Sequence, residues 1–379
     1  MSKLFRKLIA LPIAMWSALI LDPASAQKVS GDPIKIGVIL PLTGAGASLG
    51  INQRNGAVLA EKAINGSGGF KGRPIKLIVE DDATNPDTAS SKANGLIYGE
   101  KVIAIIGPGQ AANTLAVGGV TSAIKMPQVA LSGLGPAAEL ERKCVFHVSP
   151  PLSLNARAML DYARSLGIKR AGVLYDSGYG SVVYTELRKY AESYGIELVA
   201  TEKFEISATD TTTQAAKIRA SSPAGIFVIG ITGVPIRSIR QLQVKLPIIA
   251  AAGQANYEIA KSMGDAADNV AFPEFLVGED PLPNQKEFVA LYQAQYNKLP
   301  KISEAMGWDA VHILLAAFDK VGPDAGNEKL CEALRGPYSG VMSAYDFSAA
   351  DLNGIKLSDF IFSKLVAGQF TRLPFKAKE

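Results

Sequence analysis

The chain has 379 residues, 48% hydrophobic, 20% charged and 7% aromatic, with 36 Gly and 21 Pro. That composition excludes disorder, collagen and coiled coil, and the length predicts two domains, each with its own core. The formal charge is only +4 and no basic run occurs beyond the N-terminus, so nucleic acid is not expected as a partner.

In chain order, the first element reads as an export signal. Lys3, Arg6 and Lys7 precede an apolar stretch from Leu8 to Leu21, and Ala24-Ser25-Ala26 is a small-x-small cleavage site. Cleavage after Ala26 is expected. Pro12 interrupts the apolar stretch and Asp22-Pro23 closes it, which argues against a membrane anchor. Cys144 is the first cysteine, so no thiol stands at the cleavage site to carry a lipid, and a free periplasmic protein is expected. In an oxidising compartment Cys144 and Cys331 either pair or pack as two small buried hydrophobes, and both readings stay open.

From Ile34 onward, short apolar runs alternate with amphipathic stretches of helical length. The runs are Ile34 to Leu40, Ile75 to Val79, Val102 to Ile106, Val129 to Leu131, Ala171 to Tyr175, Leu198 to Phe204, Ile226 to Ile231 and Ile248 to Ala252. Most lack polar alternation, as strands buried on both faces of a parallel sheet do. Asn52 to Ile64 and Val182 to Tyr194 each carry an apolar stripe at helical spacing. Strand and helix in alternation predict a doubly wound α/β architecture. The pattern restarts at Ile168, after the proline-bearing crossover Val148-Ser149-Pro150-Pro151. Beyond Phe275 three helices are expected, over 284–297, 304–320 and 328–335. Two strands follow, Val341 to Phe347 and Phe360 to Phe370, the second folded at Ala367-Gly368.

Catalytic signals are absent from the sequence. Gly44-Ala-Gly-Ala-Ser-Leu-Gly50 is one residue too long for a dinucleotide fingerprint, and Glu80-Asp81-Asp82 comes some thirty residues after its first glycine, where roughly 20 are expected. Those carboxylates read first as a solvated strand end. His147 and His312 are the only histidines, without a second His or Cys at ligand spacing, so no metal and no cofactor is expected. His147 reads as a packed or surface side chain. Ser132 ends a strand without an identifiable base. The chain is not expected to be an enzyme.

In open α/β sheets, ligands sit outside the carboxyl ends of strands, on the turns into helices. In the first half these turns are Pro41 to Gly44, Gly107 to Thr114 and Ser132-Gly133-Leu134-Gly135. The second opens a helix whose amides at Ala111, Ala112 and Asn113 offer a carboxylate partial positive charge. In the second half the turns are Asp176 to Gly180, Ile231-Thr232-Gly233 and Ala251-Ala252-Gly253-Gln254.

The residues Ile34-Lys-Ile-Gly-Val-Ile-Leu-Pro-Leu-Thr-Gly, Asn55-Gly-Ala, Asn65-Gly-Ser-Gly-Gly, Glu80-Asp-Asp, Ile105-Ile-Gly-Pro, Asp176-Ser-Gly-Tyr-Gly and Gly264-Asp-Ala-Ala carry a resemblance in their order and spacing. From Ile34 to Phe370 the chain resembles the leucine/isoleucine/valine-binding family of periplasmic solute-binding proteins, served by ABC transporters. The resemblance implies a clamshell of two doubly wound lobes joined by three crossings, the type I periplasmic binding protein fold. It closes over a small molecule and presents the closed form to a membrane permease. The expected division is residues 1–26 as signal peptide, 27–150 plus 279–350 as lobe one, and 151–278 plus 351–379 as lobe two, in a monomer.

Carried over by position, Tyr179 keeps a tyrosine that lobe two lays against the ligand. Ala111 stands where a serine hydroxyl commonly meets the ligand carboxylate, and Leu49 where an aromatic ring is frequent. Ala252 replaces the acidic residue that pairs with an amino acid's ammonium group, and no Asp or Glu occurs between Pro247 and Tyr257. The expected ligand contacts are Leu49, Gln110, Ala111, Ala112, Asn113, Ser132, Gly133, Leu134, Tyr179, Thr232, Ala252, Gly253 and Gln254. The expected ligand is a small carboxylate without an α-amino group, an aromatic or hydrophobic acid. A branched-chain or other hydrophobic amino acid is the alternative, and a sensory binding module a further one.

Overall fold

A computed structural model describes residues 30–134 and 141–378. The expected signal sequence with its cleavage site, and Gly135, lie outside the described residues.

Strand β1 (Ile34–Leu40) is almost wholly buried because it sits inside a parallel sheet of order β2-β1-β3-β4-β5. Its neighbours are β2 (Ile75–Asp81) and β3 (Ile105–Ile106), followed outward by β4 (Gln128–Ala130) and β5 (Val145–His147). Helices α1 (Ala47–Gly66), α2 (Pro86–Asn94) and α3 (Ala111–Ala123) connect these strands. Asn85 starts α2 by accepting the amides of Asp87 and Thr88, with Pro86 at the first helical position.

The chain then crosses to a second sheet, as the prolines at 150 and 151 predict. Helix α4 (Leu152–Ser165) leads into β6 (Arg170–Asp176), α5 (Tyr179–Ala191), β7 (Glu197–Phe204), α6 (Thr212–Ala220), β8 (Gly225–Ile229), α7 (Val234–Gln241), β9 (Ile248–Ala250), α8 (Tyr257–Met263) and β10 (Val270–Glu274). The chain returns through α9 (Lys286–Tyr296), α10 (Ile302–Val321) and α11 (Asn327–Ala333) to a small hairpin, β11 (Pro337–Ser339) with β12 (Ala344–Asp346). A third crossing takes it back to the hairpin β13 (Ile361–Val366) and β14 (Gln369–Lys376), turned at Ala367-Gly368. The second sheet has the order β14-β13-β10-β9-β8-β6-β7.

Three sequence expectations shift. The second sheet is mixed, because β13 adds antiparallel to β10. Strand β10 was not among the apolar runs; Pro273 lies in it. The run Ile226 to Ile231 is strand only to Ile229, because the Ile231 amide turns to Asp176 Oδ2 at 3.1 Å.

Helix α10 covers the first sheet through α1. A Cβ on Gly56 would lie 1.8 Å from the Glu304 carbonyl oxygen, and one on Gly307 2.0 Å from that of Gln53. Only hydrogen at these two positions lets the helices touch, and the contact fixes α1 where it enters the cleft. Cys144 and Cys331 form a disulfide that ties the start of β5 to α11 across 187 residues of sequence.

Candidate functional site

The carboxyl ends of the strands of both sheets carry the predicted turns. In the first sheet, the glycine-rich turn after β1 is shaped by the chain itself. A Cβ on Gly50 would stand 2.1 Å from the Pro41 carbonyl oxygen, and one on Gly46 2.7 Å from Gln110 Nε2. Asp81 holds this turn: its Oδ1 accepts the amides of Leu42 (2.8 Å), Thr43 (3.2 Å) and Ala83 (2.8 Å), and its Oδ2 accepts the Thr43 hydroxyl at 2.6 Å. The expectation of a solvated strand end fails at Asp82, which is fully buried. Its carboxylate accepts the Thr84 amide, faces Asn113, and has its pKa raised by burial. Asn113 is therefore turned to the end of β2 and is itself buried.

The amides of Ala111, Ala112 and Asn113 belong to the first turn of α3, where helical pairing begins only with the Thr114 amide on the Gln110 carbonyl, 2.9 Å away. Among the described residues no side chain caps them. They are orphan donors at the positive end of a 13-residue helix, with Ala111 and Ala112 exposed. Ser132 and Leu134 are buried beside this turn and Gly133 is half-buried. The hydroxyls of Ser132 and Thr114 lie 2.7 Å apart, and Thr114 also reaches the Pro108 carbonyl at 3.2 Å. His147 is fully buried; its Nδ1 meets the Ser132 carbonyl oxygen at 2.8 Å, not the hydroxyl, so the two make no base and nucleophile pair. Burial lowers the His147 pKa.

In the second sheet Tyr179 is the first residue of α5. Its hydroxyl accepts from Asn155 Nδ2 at 3.0 Å, and burial raises its pKa. A Cβ on Gly253 would lie 3.1 Å from the Tyr179 ring. Leu49, Gln110, Thr232, Ala252 and Gly253 are half-buried. Gln254 is fully buried as a brace: Nε2 donates to the Thr232 carbonyl at 2.7 Å and Oε1 accepts the Ala251 amide at 3.3 Å. Asp176, the acid closest in sequence to Tyr179, is also committed. Its Oδ1 accepts the amides of Gly178 (2.9 Å) and Gly180 (2.7 Å), and its Oδ2 that of Ile231.

Between the lobes lies a cavity of about 270 Å³. Asn52, Lys298, Leu299, Lys301 and Glu304 line it from the side of the first sheet, and Asn256, Tyr257 and Glu258 from the second. Lys301 and Glu274 form a buried ion pair at 2.7 Å, with the Lys301 ammonium over the Phe370 ring. Glu304 is buried, accepts the Lys301 amide at 3.0 Å, and has its pKa raised by burial, with Glu258 across the cavity adding to the rise.

Sequence reasoning missed these cavity residues. Asn52 could have been reached from Leu49, three positions earlier on the same helical face, and Asn256 and Tyr257 follow Gln254 directly. Nothing local marks Asn155, which meets Tyr179 only through the fold.

Residues 33–361 match the family model of the periplasmic binding proteins, so the chain belongs to that family. It has the type I periplasmic binding protein fold, and the proteins it matches are binding proteins rather than enzymes. The leucine-, isoleucine-, valine-, threonine- and alanine-binding protein of Pseudomonas aeruginosa is 24% identical over 348 residues, covering 85% of this chain and 87% of that one. The branched-chain amino acid transporter substrate binding protein of Streptococcus pneumoniae, solved with isoleucine, is similar with a TM-score of 0.79 at 23% identity, over 90% of this chain and 100% of that one. A solute binding protein of an ABC transporter from Rhodopseudomonas palustris, solved with 3,4-dihydroxy benzoic acid, has a TM-score of 0.78 at 23% identity, over 92% and 97%. Among the described residues no helix is long and apolar enough to cross a membrane.

Proposed function

We propose that the protein is exported to the periplasm, with its signal peptide removed after Ala26. There, as a monomer, it captures a small aromatic or hydrophobic carboxylate lacking an α-amino group and delivers it to the permease of an ABC importer. The lobes are assigned as residues 27–150 plus 279–350 and 151–278 plus 351–379. The ligand carboxylate sits on the amides of Ala111, Ala112 and Asn113, and the apolar body lies between Leu49 and Tyr179, with Ala252 and Gly253 behind.

One observation carries this reading: among the described residues, the stretch of lobe-two wall around Tyr179, from the Asp176 turn to Gln254, has no free negative charge for an ammonium group. Residues 251–254 contain no acid, and the carboxylate of Asp176 is already held by three backbone amides. A desolvated ammonium without a partner costs several kcal/mol. The bound dihydroxybenzoic acid of the Rhodopseudomonas neighbour shows that this fold can hold an aromatic acid.

A second reading is a hydrophobic amino acid, in keeping with the Pseudomonas and Streptococcus relatives. It is favoured by Glu304 and Glu258 on the cavity walls, whose carboxylates have no ion-pair partner among the described residues. A thermal-shift screen of amino acids against aromatic and aliphatic acids tests the choice. A ligand at 100 times its Kd adds about 2.7 kcal/mol, which raises the midpoint by several degrees. Stabilisation by acids alone supports the first reading, and by amino acids alone the second.

A further inference from the structure

The cavity between the lobes continues the cleft along two chain segments. On one wall Asn52 follows Leu49 by one helical turn. On the other, Asn256 Nδ2 reaches the Gly253 carbonyl oxygen at 3.4 Å, and Gly253 borders Tyr179. The cavity therefore adjoins the far end of any ligand whose carboxylate sits at α3. Its floor is apolar, made by the Tyr257 ring and Leu299, with the aliphatic stems of Lys298 and Lys301 beside them.

Most of its polar atoms already have partners. The Tyr257 hydroxyl donates to Glu279 at 2.9 Å, Lys301 to Glu274 at 2.7 Å, and Asn256 Oδ1 accepts the Ile259 amide at 2.8 Å. Two donors remain at the rim. Asn52 Oδ1 accepts from Lys298 Nζ at 3.3 Å, which leaves the Asn52 Nδ2 hydrogens without an acceptor among the described residues, and leaves Lys298 with further N–H groups.

We propose that this cavity is a far-end subsite in which Asn52 and Lys298 recognise a hydroxyl on the ligand. The preferred solute is then an acid with an apolar body and a hydroxyl at the end remote from its carboxylate. The group is a hydroxyl rather than a second carboxylate, because the carboxylates of Glu258 and Glu304 on the same walls repel an anion. A hydroxyl can accept from Asn52 or Lys298 and donate to one of these acids. The inference rests on the α3 amides being the carboxylate seat.

The test is calorimetric titration of the mature protein with phenylpropanoate, with its para-hydroxy derivative and with leucine, repeated on Asn52→Leu and Lys298→Met. Asn52 is only half-buried and Lys298 exposed, so both variants should fold, and thermal melts check this. The expected result is that the hydroxyl tightens binding about tenfold in the unmodified protein, and that this ratio falls toward one in either variant. Equal affinities of the two acids in the unmodified protein, or a ratio unchanged in both variants, overturn the subsite while leaving the carboxylate seat standing. Binding of leucine with both acids inert overturns the seat and the subsite with it.

Discussion

The carboxamide of Asn155, on the first helix after the crossover, donates to the hydroxyl of Tyr179 at 3.0 Å. With Gly253 packed against the ring, the tyrosine is held at the lobe-two wall by two separate elements. The tyrosine is thus positioned before any ligand arrives, and little rotamer entropy is lost on binding.

Replacing this ring should be felt in affinity and not in folding. Tyr179→Ala should weaken binding of the acid ligand by about 1 to 3 kcal/mol through lost apolar contact. Tyr179→Phe, which keeps the ring and releases Asn155, should cost less. Titration calorimetry with parallel thermal melts checks both, and unchanged affinity in Tyr179→Ala would remove the ring from the site.

The Cys144–Cys331 disulfide closes a long loop, so its main effect is on the unfolded chain. The double variant Cys144→Ser, Cys331→Ser should lose about 2 to 5 kcal/mol of stability in denaturant unfolding. Both sulfurs lie at β5 and α11 rather than on the cleft turns. Ligand affinity at a temperature where the variant is folded should therefore hold.

Acid sensitivity should trace in part to His147. Its folded pKa is lowered by burial, and Nε2 has no partner among the described residues. Below about pH 6.5 the unfolded chain takes up this proton more readily than the folded one, so stability falls as pH drops through that value. Asp309 acts in the opposite sense. Burial raises its pKa to about 6, so the folded state keeps its proton and loses stability as pH rises from about 4 to 6. The difference between the unmodified protein and His147→Gln isolates the histidine: on going from pH 7.5 to pH 5 the variant should lose less stability than the unmodified protein, or gain more. Equal changes in the two proteins would mean that His147 does not titrate differently on folding.

Much of this organisation was legible from residue order. The apolar runs at 34–40, 75–79 and 198–204 mark strands β1, β2 and β7 to within two residues, but only β1 is buried on both faces; β2 and β7 are edge strands and largely half-buried, which is why Lys76, Thr201, Glu202 and Lys203 interrupt their runs. The turns at the α3 and α5 N-termini were visible as Gly and Pro clusters after such runs. Three kinds of feature were not. Asp82 is buried facing Asn113, thirty-one residues further along the chain, a neighbour that a linear pattern cannot supply. Asp176 looks like a free acid until the fold brings the Ile231 amide to it. The far cavity is assembled from α1, α10 and α8, which are distant in sequence and meet only when both lobes are built.

The central claim concerns the charge of the ligand. The α3 amides and their dipole favour an anion, and among the described residues the lobe-two wall from the Asp176 turn to Gln254 offers no free carboxylate to a cation. Parallel calorimetric titrations of the protein with leucine, valine and the matching deaminated or aromatic acids address this directly. Measurable binding is expected only for the acids. Tight binding of leucine or valine with the acids inert would contradict the account and assign the ammonium group to Glu304 or Glu258.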